Sequence, residues 1–70
     1  MQINKGDLVG YSSQFLRNTG QLTGDVPNMT GVVKEIRRGV MADVVWGYGE
    51  TYPVLCVNLW PVAKRHLEPR

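Results

Sequence analysis

The sequence predicts an all-β domain, a small closed barrel of short strands. Three observations carry that expectation. Met41-Ala-Asp-Val-Val-Trp46 alternates with a period of two, so Val40, Ala42, Val44 and Trp46 share one face and Met41, Asp43 and Val45 the other. Glycines punctuate the chain at Gly39, Gly47 and Gly49, where strands would have to turn. Seventy residues hold a single domain, 1–70, whose small core makes oligomerisation a common remedy.

Gly6-Asp-Leu-Val-Gly-Tyr11 reads as the first strand. Ser12 to Thr30 is rich in Ser, Asn, Thr, Gly and Pro and reads as a long loop, anchored by Phe15, Leu16, Leu22 and Met29. Loops of that length in a small domain are often functional. Gly31-Val-Val-Lys-Glu-Ile-Arg37 is the second strand, and Arg38-Gly39 a tight turn. In the third strand Val40, Ala42, Val44 and Trp46 should point inward.

Thr51 to Trp60 reads as a fourth strand with two apolar rows, Leu55, Val57 and Leu59 on one side and Val54, Cys56, Asn58 and Trp60 on the other. A half-buried strand alternates with polar residues, so the second row needs a cover, from this chain or another. Pro61 is expected to interrupt the ladder. Ala63 to His66 suits one helical turn, and Leu67-Glu68 a short closing strand.

Composition excludes little. Eight basic and six acidic residues give a net charge of +2, too mild to argue for nucleic acid. One cysteine, Cys56, forms no intrachain disulfide and fits a reducing, cytoplasmic setting. No apolar run resembles a signal peptide or reaches the roughly 20 residues of a membrane span. One cysteine and one histidine, Cys56 and His66, fall short of a zinc ligand set, so no metal is expected. The glycines of Gly47-Tyr-Gly49 precede no helix and form no phosphate loop.

Lys5-Gly-Asp-Leu-Val9, Gly31-Val-Val-Lys-Glu-Ile36, Val44-Val-Trp46 and Leu67-Glu-Pro69 together resemble a five-stranded SH3-like barrel with a long first loop and a helical turn before the last strand. Similar SH3-like and KOW-like chains occur in phages and mobile elements, and many serve as binding modules. Signalling SH3 domains read proline-rich helices with aromatics and acidic residues. Here Ser12 to Thr30 holds one acid, Asp25, and no aromatic cluster, so that ligand is not expected.

Three functions follow as expectations. The first is a non-enzymatic module that binds a protein, above all its own copy. Its contact surface would be Val45, Val54, Val57, Asn58, Leu59 and Trp60, with Val54, Asn58 and Trp60 outward. The second is nucleic-acid binding, as in KOW-like domains, through Lys34, Arg37, Arg38 and Tyr48. The third comes from Val57-Asn-Leu-Trp60 followed by Pro61-Val-Ala63, which resembles the end of the plasmid-borne type II dihydrofolate reductases. That family forms homotetramers around one pore. The resemblance implies Asn58 and Trp60 as substrate-contacting residues, Val57 and Leu59 as backbone contacts to the nicotinamide, and NADPH as cofactor. The first reading needs no cofactor.

Overall fold

The computed structural model describes residues 3–21 and 23–68. The chain is mostly β: five antiparallel strands form one sheet in the order β4-β3-β2-β1-β5. They are β1 (Leu8–Tyr11), β2 (Gly31–Arg37), β3 (Met41–Trp46), β4 (Thr51–Leu55) and β5 (Leu59–Pro61). β4 and β5 are the sheet's two edges, so strand pairing does not close the expected barrel.

The β2–β3 hairpin is the backbone of the fold. Arg38 and Gly39 both sit in the left-handed region, at φ 55° and 68°, and Val40 N–H closes the turn on the Arg37 carbonyl at 3.1 Å. Such double left-handed turns match the twist of the strands they join. The ladder slips by one residue between Val33 and Glu35, a bulge that bends β2. Gly31 lies opposite Trp46. A Cβ there would stand 2.6 Å from Val44 Cγ1 and 3.1 Å from Trp46 Cε3, so only glycine lets the indole lie across β2.

The core is one cluster on the inner face: Ile3, Val9, Val33, Ala42, Val44, Trp46 and Leu59. Ala42, Val44 and Trp46 point inward as their period requires. Val40 does not. It lies in the turn ahead of β3 and is exposed.

Two segments depart from expectation. The polar stretch after β1 is not all loop. Ser12 accepts a hydrogen bond from Phe15 N–H at 3.1 Å and caps a short helix, α1 (Ser13–Thr19), which buries Leu16 and ends at left-handed Gly20. A further 3-10 turn covers Val26–Asn28. Leu22, an expected anchor, lies outside the described residues.

The run from Thr51 to Trp60 is not one strand. It breaks at a 3-10 turn, Cys56–Asn58, which carries the chain from one sheet edge to the other. The last strand is therefore Leu59–Pro61, not Leu67-Glu68; Pro61 pairs opposite Val9, and the ladder ends there as expected. Val62–Leu67 follows as 3-10 turns.

Candidate functional site

The 3-10 turn decides where the residues expected at the contact surface go. An unbroken strand would put Val54 and Leu59 on opposite faces. With Cys56–Asn58 coiled between them, both turn inward: Leu59 is buried in the core cluster and Val54 packs against it. Neither is outward, which corrects the expectation for Val54. Val57 is thrown outward at the turn and is 79% exposed. Asn58 is half-buried, and its backbone carbonyl accepts the Ser12 N–H at 2.8 Å.

Trp60 stays on the outer face. It pairs opposite Gly10 in β1, while its neighbours Leu59 and Pro61 are buried. Its indole Nε1–H donates to the Lys64 carbonyl at 2.8 Å. Trp60 also lines a cleft of about 180 Å³ with Ser12, Gln14, Arg17, Val57 and Glu68. The Glu68 carboxylate accepts the Ser13 N–H at the start of α1, tying the last 3-10 segment to the helix. The Arg65 guanidinium lies over Gly10, where a Cβ would collide with it at 2.0 Å.

Between Trp60 and Val45 lies a row that sequence reasoning missed. Leu8 pairs opposite Val32, and Val32 opposite Val45. Residues paired in this way share a face, and Val9, Val33 and Val44 already occupy the inner one. The row therefore points outward. Leu8 is 49% and Val32 44% exposed, and Val45 is half-buried. A signal was present: Leu8-Val9, Val32-Val33 and Val44-Val45 are apolar at both parities, which requires cover on both faces.

The second surface is aromatic. Phe15 of α1 stacks on Tyr11 of β1, with centroids 4.5 Å apart. Tyr11 stacks on Trp46 of β3 at 4.7 Å. Tyr48, in the β3–β4 turn, faces Tyr52 of β4 at 6.5 Å with the rings tilted by 54°. The aromatic cluster absent from any one stretch of sequence is thus assembled from separate elements. Burial, and secondarily Tyr48 beside it, raises the Tyr11 pKa. Tyr52 donates its hydroxyl proton to Glu50, and that bond raises its pKa first, with the carboxylate charge behind it. Trp46 Nε1 is buried with no acceptor among the described residues.

The nucleic-acid set is not brought together. Arg37 and Arg38 sit at the β2–β3 turn and Tyr48 at the β3–β4 turn, at opposite ends of β3. Six extended residues separate those ends by roughly 17–20 Å. Arg37 is also ion-paired with Asp43, and Lys34 lies at the bulge between the two ends. Among the described residues no three His, Cys, Asp or Glu side chains gather as a metal site, and no helix is long and apolar enough to cross a membrane.

Asn58 and Trp60 are the residues expected to line a shared pore. Here Asn58 closes a 3-10 turn and Trp60 is hydrogen-bonded to its own C-terminal segment. No family model, curated protein or solved structure matches the chain.

Proposed function

We propose that this chain is a small non-enzymatic binding module that associates with a second copy of itself through the outer face of its sheet. The carrying observation is the row Leu8, Val32 and Val45, aligned across neighbouring strands on the face away from the core. Trp60 extends the same face across β1. Aligned aliphatic side chains on an open sheet face are what a second sheet covers at a spacing of about 10 Å. A chain this small gains from such cover, because its own core is one modest cluster. On this reading Val45 and Trp60 belong to the contact face, while Val54 and Leu59 pack in and against the core behind it.

The fold reading that goes with this is an SH3-like module of mobile-element type. The meander of strands and the one-turn connector between β4 and β5 support the SH3-like part of that reading. The unpaired thiol of Cys56 supports a reducing compartment.

Light scattering after gel filtration tests the reading. The wild type should run as a dimer. Val32→Lys should run as a monomer with an unchanged far-ultraviolet spectrum, because the substituted side chain is already near water. A wild type that stays monomeric at high concentration ends the proposal, as does a Val32→Lys dimer. A tetramer that oxidises NADPH with dihydrofolate would replace it with the pore reductase.

A further inference from the structure

The aromatic end supplies a second site, independent of the outer face. Tyr48 and Tyr52 are 56% and 47% exposed. Large aromatics held open to water at a strand end cost burial that the core would otherwise gain. Their rings are also held apart. Centroids 6.5 Å apart at a tilt of 54° form an open notch. A cation lodged in it would lie within about 6 Å of both ring centres, the range over which an aromatic face attracts positive charge.

The electrostatics of the notch select that occupant. Glu50 stands at its rim, held by the Tyr52 hydroxyl. The ion pairs among the described residues are Lys5 with Glu35 and Arg37 with Asp43, so Glu50 has no cationic partner among them. Tyr11, near enough to Tyr48 to interact with it, is itself held by stacking on Trp46 and on Phe15. Two aromatic faces and a carboxylate with no cationic partner among the described residues favour a flat cation. The same carboxylate repels a phosphate backbone, and the chain's own arginine pair, Arg37 and Arg38, lies at the far end of β3.

We propose that the notch between Tyr48 and Tyr52, with Glu50 at its rim, binds an arginine side chain from a basic segment of a partner protein. The guanidinium plane stacks on the rings while its N–H groups reach the carboxylate. Arginine fits better than lysine, because a planar guanidinium stacks and donates in a fork, whereas an ammonium is a hydrated point charge.

The test is a titration of the wild type with a short arginine–glycine peptide, its lysine–glycine counterpart and its glutamine–glycine counterpart. Binding is read from NMR shifts of the Tyr48 and Tyr52 ring protons. The arginine peptide should bind saturably, the lysine peptide more weakly and the glutamine peptide not at all. Tyr48→Ala and Glu50→Gln should each weaken the arginine peptide by about tenfold, while Tyr48→Phe keeps it. Equal binding of the glutamine peptide would overturn the proposal. So would arginine binding that neither Tyr48→Ala nor Glu50→Gln alters. Saturable binding of single-stranded oligonucleotide at the same tyrosines, strengthened by Glu50→Gln, would overturn it in favour of nucleic acid.

Discussion

Val32 and Val33 are neighbours in β2, and so are their cross-strand partners Val45 and Val44 in β3. The four residues have the same side chain and the same strand propensity. Val33 and Val44 are sealed in the core, while Val32 is open to water and Val45 half-covered. The pleat alone makes the difference, since successive side chains leave opposite faces. The inner pair holds the monomer together. The outer pair lies on the opposite face, outside the core cluster.

The largest way to test that division is Trp46→Ala, at the end of the inner row. It removes the indole that Tyr11 stacks on and that Gly31 makes room for. The expected loss is about 3–5 kcal/mol, most of what a domain of this size has to lose. Circular dichroism should find the variant unfolded or nearly so. A cooperative thermal transition near the wild-type midpoint would show that the inner face is not the core of the stability.

The sharper comparison sets Val33→Ala beside Val32→Ala. The buried truncation should cost roughly 2 kcal/mol, from lost transfer energy and the cavity left behind. The exposed one should stay within about 0.5 kcal/mol. Urea denaturation in dilute solution, where copies do not associate, measures both. Equal costs would break the two-face division.

The smallest effect is one of pH. Tyr11 and Tyr52 both have pKa values raised above the ordinary 10.0, the first by burial and the second by its bond to Glu50. The folded state therefore favours the neutral phenols. Their contribution is complete below about pH 10 and is lost as pH rises through the raised folded-state values. Stability against urea should decline on that limb. Tyr52→Phe should flatten part of the decline, and a profile it leaves unchanged would show that Glu50 does not hold the Tyr52 hydroxyl.

Much of the fold was legible. Gly31–Arg37 and Met41–Trp46 are strands over the residues their pattern marks, joined at the expected Arg38-Gly39 turn. Strict alternation and a turn with glycine are local signals, and neighbouring strands need nothing distant to find each other. Helix α1 was less legible, because seven residues are too few for propensity to speak. Its traces were there in Ser12 as cap, Phe15 and Leu16 as an apolar pair and Gly20 as stop. What makes it form is tertiary, the burial of Leu16 and the stacking of Phe15 on Tyr11.

The sequence by itself determined the all-β class, the central hairpin and the inward row of Ala42, Val44 and Trp46, since each follows from periodicity within a few residues. Only the tertiary structure decided that Thr51 to Trp60 breaks at Cys56–Asn58, because that turn exists to cross between sheet edges that the local sequence does not contain. The same holds for both surfaces. Leu8, Val32 and Val45 meet through strand pairing, and Tyr11, Phe15, Trp46, Tyr48 and Tyr52 through the ends of separate elements. Residues so far apart in the chain become neighbours only when the sheet forms.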